Sequence, residues 1–270
     1  KDEQRRETRR LSLEQPAIDL REDAVVGGKL VRWSMEEHVL LLYIHHIIFD
    51  GWSFVVASRE IASLYEAFEK GMPSPLPQLP MQYGDFAIWQ RQLLTGNRLS
   101  QLEKYWFNKL QGIQTLELPT DRPRLSTRNI DTDTIWINVP TELNRKVTDF
   151  ARREGVTLYM FLLAVFCELL HRFTEMTDIA VGSPVVNRRH PGFETLIGYF
   201  INMLVMRNDL SGDPSFMELL RRVRKSTIEG LDHQDLTFDR VVKLIEPPRD
   251  LSRHPLIQVM FVLQNTPQPV

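Results

Sequence analysis

The sequence predicts a mixed α/β protein of two lobes, and three observations carry that prediction. Short apolar runs bounded by turn residues alternate with longer segments whose apolar residues recur every three or four positions. A Pro-rich, charged stretch, Leu118-Pro119-Thr120-Asp121-Arg122-Pro123-Arg124, interrupts this alternation, which restarts beyond it. The 270 residues, 43% hydrophobic and 25% charged, are enough for two cores. The lobes are placed at 1–120 and 121–270.

Taken in order, residues 1–29 read as a charged helix and a loop. Lys29–Trp33 and His38–His45 then read as strands around the turn Ser34-Met35-Glu36-Glu37. Phe54, Ala57, Ile61, Leu64, Tyr65 and Phe68 predict an amphipathic helix capped by Ser53 and stopped at Gly71. Four prolines between Pro73 and Pro80 make an extended connector, and Met81–Gln90 begins another helix. Leu99, Leu102, Tyr105, Trp106 and Leu110 line one face of the next, a stripe better read as core than as a ligand platform.

Beyond the break, Asp133–Val139 reads as a strand. Leu143, Val147, Phe150 and Ala151 mark a helix, and Thr157 caps another that ends near Phe173. Asp178–Val186 and Phe200–Met206 read as strands. Asp213-Pro214 opens a helix with Phe216, Leu219, Leu220 and Val223 inside. Thr237 caps a short helix ending before Pro247-Pro248, and Gln258–Leu263 is a last apolar strand.

Several function classes lose support. A net charge of −2 argues against a chain-wide basic surface for nucleic acid. Cys167 is the only cysteine, which excludes an intrachain disulfide and a thiolate metal cluster; no metal site is expected. Lys1–Arg10 lacks the apolar region of a secretion signal, and the most apolar run, Leu158–Leu170, is too short to span a bilayer. An intracellular, cytoplasmic setting without a membrane segment is expected. There is no glycine-rich phosphate loop, zinc-ligand spacing or Gly-x-Ser-x-Gly elbow.

The densest chemistry lies in His45-His46-Ile47-Ile48-Phe49-Asp50-Gly51-Trp52. An apolar run leads into two imidazoles, then a carboxylate and a glycine, the pattern of a buried strand ending at a site. Imidazole exchanges protons near neutral pH, and Asp50 could orient the loop. On the residues alone two readings stand: a proton-transfer site, or a core histidine followed by an aspartate that opens a turn. The helix after Ser53 would place Gly51 and Trp52 beside outward-pointing backbone N–H groups, a geometry useful in acyl transfer.

Five stretches occur together and in one order. They are His45–Gly51 (HHxxxDG), Tyr83–Gln90 (YxDFAxWQ), Ile197–Asn202 (IGxFxN), His233–Phe238 (HQDxPF, with Thr237 for proline) and Arg249–Leu256 (RDxSRxPL). On them the chain resembles the condensation domain of nonribosomal peptide synthetases, within the chloramphenicol-acetyltransferase-like superfamily. The resemblance covers residues 12–265. It implies two acetyltransferase-like lobes, with mixed sheets flanked by helices, set as a V around a central tunnel.

It also implies a reaction: the amine of a downstream carrier-bound aminoacyl thioester attacks an upstream carrier-bound acyl or peptidyl thioester. No cofactor binds directly; substrates arrive on 4′-phosphopantetheine arms. The partners are the upstream and downstream peptidyl carrier domains and a neighbouring adenylation domain. His46 matches the catalytic histidine and His45 a structural one. Asp50 matches an aspartate paired with an arginine, here Arg188, and Trp52 adds support. The Gly51 N–H would donate to the thioester oxygen, while Asn202 and Ser53 would face the substrate tunnel.

The epimerisation domain shares HHxxxDG, but the YxDFAxWQ and RDxSRxPL matches favour condensation. A heterocyclisation domain would replace the histidine pair. A non-catalytic docking module would lose motif residues that His45-His46 and Asp50-Gly51 retain. The family's first motifs lack a counterpart and its final strands are missing, so the chain reads as a partial domain with incomplete lobes. Uncovered edges and apolar faces, and little activity in isolation, are expected.

Overall fold

The computed structural model describes residues 2–13, 18–123, 132–248, 250 and 252–264. They fall into two units, residues 1–87 with 188–200, and residues 88–187 with 201–265, each holding an apolar core of its own. Among the described residues no single helix is long and apolar enough to cross a membrane.

In the first unit, α1 (Asp2–Leu13) precedes an antiparallel hairpin of β1 (Val26–Arg32) and β2 (His38–Ile44). β1 begins three residues before the expected Lys29. Val26-Gly27-Gly28 pair with Ile44, Tyr43 and Leu42 through the backbone, and that pairing needs no apolar side chain. The turn forms at the expected place. Ser34 Oγ accepts from the Glu36 and Glu37 amides, and Glu37 O accepts from Trp33 and Ser34.

A 3₁₀ turn (His46–Ile48) leads into α2 (Gly51–Glu69). Gly71 follows α2 with φ +68°, the left-handed conformation that ends helices. The apolar stripe of α2 is not buried as its spacing suggests: Phe54, Ile61, Tyr65 and Phe68 are exposed, as are Leu30, Leu40 and Leu42 on the hairpin. α3 (Tyr83–Leu93) then crosses from the first unit into the second.

The second unit contains α4 (Gly96–Leu110), α5 (Thr141–Arg153), α6 (Leu158–Thr174), β3 (Asp178–Val185), β4 (Asn202–Asp209), α7 (Phe216–Asp232) and α8 (Phe238–Ile245). β3 and β4 pair antiparallel from Asp178↔Asp209 to Val185↔Asn202, and α6 and α7 pack against them. Leu102, Trp106 and Leu110 of α4 are fully buried, and the Trp106 indole N–H donates to His233 O at 3.0 Å. The aromatic stripe is therefore core.

Three expected elements are corrected. Residues 132–139 form no strand. Ile135, Trp136 and Ile137 have strand propensity, but no described residue pairs with them, and they are 83–90% exposed. Gln258–Leu263 contributes only a single parallel bridge, Met260 to Gly182, with hydrogen bonds on either side of it. The start of α7 is capped by Ser215 rather than Asp213. Asp213 takes φ +51°, and Ser215 Oγ accepts from Glu218 three residues on, the spacing of a capping box.

Thr157 caps α6 as expected, its hydroxyl accepting from the Met160 amide. Cys167 sits in this helix at 0% exposure, and burial pushes its thiol up to about 12, against a weaker opposing hydrogen bond from Asn208. The thiolate is the reactive form. Native protein at pH 8 is therefore expected to resist thiol reagents and to react once per chain in denaturant, read by intact mass. The folded state holds this proton above the ordinary value of 9.0, so stability is lost as pH rises from there.

Candidate active site

The site lies in the first unit, and its foundation is a buried ion pair. Asp50 (2% exposed) precedes α2 in an extended conformation and Oδ1 accepts from the Ser53 amide at 2.8 Å. Asp50, not Ser53, is thus the N-cap. A carboxylate there also favours the positive end of the helix dipole.

Arg188 (9% exposed) reaches the same carboxylate, its Nη2 lying 3.1 Å from Asp50 Oδ1 and 3.0 Å from Ser53 Oγ. Nη1 donates to the carbonyls of Phe193 and Leu196, and the guanidinium lies 3.8 Å above the Phe200 ring. Burial is the largest influence on Arg188 and lowers its pKa; Asp50 opposes it. One side chain thereby ties α2 to the 193–200 loop through four hydrogen bonds and a cation–π contact.

The loop Gly198-Tyr199-Phe200 is held at each of its residues. Ser53 Oγ accepts from Gly198 N at 2.9 Å and donates to Gly198 O at 2.8 Å. Tyr83 Oη donates to Tyr199 O at 2.7 Å, and Phe200 N donates to Asp50 Oδ2 at 3.0 Å. The Tyr83 ring lies directly over Gly198, where a β-carbon would come within 2.2 Å of it, so only glycine fits. Beneath, Phe86, Phe193, Leu196 and Phe200 form a small aromatic-rich core.

On this base stand the two histidines. His45 is half-buried and its Nδ1 accepts from the Ile47 amide at 3.0 Å, so it caps the 3₁₀ turn and its proton sits on Nε2. His46 is exposed and packs edge-on against Tyr199, ring centroids 5.5 Å apart. Gly51 is the exposed first residue of α2, where a backbone N–H has no partner within the helix. Trp52 supports the loop, its indole donating to Glu194 O at 2.8 Å.

The structure therefore brings together His45, His46, Asp50, Gly51, Trp52, Ser53 and Arg188. Two substrate-facing expectations are corrected. Ser53 is fully buried with its hydroxyl committed to Gly198 and Arg188. Asn202 belongs to the second unit, and its amide is saturated. Nδ2 donates to Gln234 O and Leu236 O, and Oδ1 accepts from Met203 N and Phe238 N. Asn202 thus caps α8, where Thr237 holds the cap position without a side-chain bond. Sequence reasoning missed Tyr83, Gly198 and Tyr199, although each lies in a motif stretch quoted above.

The site thus combines a mixed α/β fold with an exposed histidine on a loop held from beneath. The sequence profile of the Condensation domain family matches residues 1–269, and the chain belongs to that family. Among its relatives is malpinin synthetase of Mortierella alpina, 42% identical over 92% of this chain and 3% of that protein. The chain thus spans a small fraction of such relatives.

Among solved structures, the X-domain from teicoplanin biosynthesis is similar both alone and in complex with OxyB. Both give a TM-score of 0.84, at 30% and 29% identity, covering 91% and 92% of this chain and 56% of that one. The first condensation domain of the CDA synthetase shares the fold at a TM-score of 0.70 and 19% identity, over 91% of this chain and 55% of that one.

Proposed function

We propose that the chain forms amide bonds between an upstream carrier-bound acyl or peptidyl thioester and the amine of a downstream carrier-bound aminoacyl thioester. The observation that carries this reading is the exposed His46 on a loop locked from beneath by Asp50, Arg188 and Ser53. The amine lone pair attacks the thioester carbon. The C–N bond forms, the C–S bond breaks with its electrons going to sulfur, and the proton lost by the amine passes through His46 to the departing thiolate. The Gly51 N–H donates to the oxygen that gains charge.

His45, Asp50, Arg188 and Trp52 keep the loop in shape, and no metal enters the step. The phosphopantetheine arms belong to the substrates, and the partners are the two carrier domains and an adjoining adenylation domain of a cytoplasmic synthetase. The two lobes are proposed at residues 1–120 and 121–270.

Epimerisation would use the same histidine to move an α-proton of a tethered peptide. The two reactions separate in one experiment with a complete synthetase module and loaded carriers. Condensation predicts a new dipeptidyl thioester on the downstream carrier. Inversion of an upstream residue with no new amide would overturn it.

The likeness to the X-domain, solved with OxyB, favours a second reading as a docking module. The presence of His45-His46 and Asp50-Gly51 together weighs against it, and a module that recruits a tailoring enzyme but makes no amide would establish it.

A further inference from the structure

We infer that Tyr199 is a positioning residue for His46. Its phenol ring is the one side chain of the 198–200 clamp turned toward that imidazole. Gly198 is fixed on both its N–H and its C=O by Ser53, Tyr199 O accepts from Tyr83, and Phe200 N is held by Asp50. With the backbone pinned on both sides, the direction in which the Tyr199 side chain leaves the loop is fixed. It meets His46 edge to face, with an interplanar angle of 74° and a centroid distance of 5.5 Å.

The contact has a function because His46 is otherwise exposed. An exposed side chain samples several rotamers, and productive proton transfer needs one of them. The aromatic ring selects that one by contact, so the scaffold under Asp50 reaches the imidazole through two routes, the 3₁₀ turn and Tyr199. Tyr83, whose phenol burial pushes above its ordinary value, stays protonated and keeps donating to Tyr199 O. Tyr199 is itself 39% exposed.

This inference rests on the catalytic reading of His46. The test measures kcat and KM of dipeptide formation in the complete module for Tyr199→Phe and Tyr199→Leu, each with and without His46→Ala. Tyr199→Phe keeps the aromatic ring and is expected to restore most of the kcat that Tyr199→Leu loses. Tyr199→Leu is expected to lower kcat by about two- to tenfold, the range of one aromatic contact, with little change in KM.

In the His46→Ala background, Tyr199→Leu should add nothing. Unchanged kcat in Tyr199→Leu beside a severe loss in His46→Ala would overturn the role of Tyr199 alone. An equal loss in both backgrounds would also overturn it. A neutral His46→Ala would remove the catalytic reading and this inference with it. If Tyr199→Leu lowers the melting temperature of the module, the same kcat and KM split is read on Tyr199→Met.

Discussion

His46→Ala in the complete synthetase module is expected to lower dipeptide formation by about 10²–10⁴-fold, the usual contribution of a positioned acid–base group. Loading of the carriers should be unaffected, since adenylation and arm attachment take place elsewhere. Structural damage should be slight. His46 is exposed, and the turn it occupies is capped by His45 and followed by the Asp50 cap. The measurement is amide product per loaded carrier against time, with the melting temperature as control. Product formation at the wild-type rate would sink the catalytic reading.

Asp50→Ala is expected to destabilise the first unit by about 3–5 kcal/mol, because it leaves the Arg188 guanidinium buried without its counter-charge. It also removes the α2 cap and the acceptor for Phe200 N. Arg188→Leu should cost a similar amount, leaving the Asp50 carboxylate without its cation and the Phe193 and Leu196 carbonyls without their donor. Because both variants break one network, the double substitution should cost clearly less than the sum of the two. Urea unfolding followed by intrinsic tryptophan fluorescence, to which Trp52 and Trp33 of the first unit contribute, would measure the cycle; strict additivity would show that the pair is not coupled.

Much of this was legible in the sequence. Helices with buried stripes, such as α4 and α6, were found because burial imposes the 3.6-residue period directly. Asp50 and Arg188, 138 residues apart, were connected only through the motif resemblance, since no local pattern links such positions. Tyr199 was passed over because nothing in its neighbours' chemistry marks it; its meaning comes from the loop that presents it. The strand expected at 133–139 failed because β-propensity reports a willingness to pair, and pairing depends on a partner elsewhere. Ser53 was misread for a related reason. A serine before an apolar stripe looks like a cap, but an aspartate three positions earlier starts the helix sooner and takes the Ser53 amide for itself.

The cap of α8 is supplied from across the second unit, by Asn202 rather than by Thr237. That arrangement decides which substitutions the helix start tolerates. Position 237 is relieved of a duty that a helix start usually imposes on it, and its φ of −69° is one that a proline ring accepts. Threonine and the proline that the motif resemblance expects at 237 are therefore interchangeable for the start of α8, whereas Asn202, with all four of its hydrogen-bonding positions in use, is not replaceable by a residue without them.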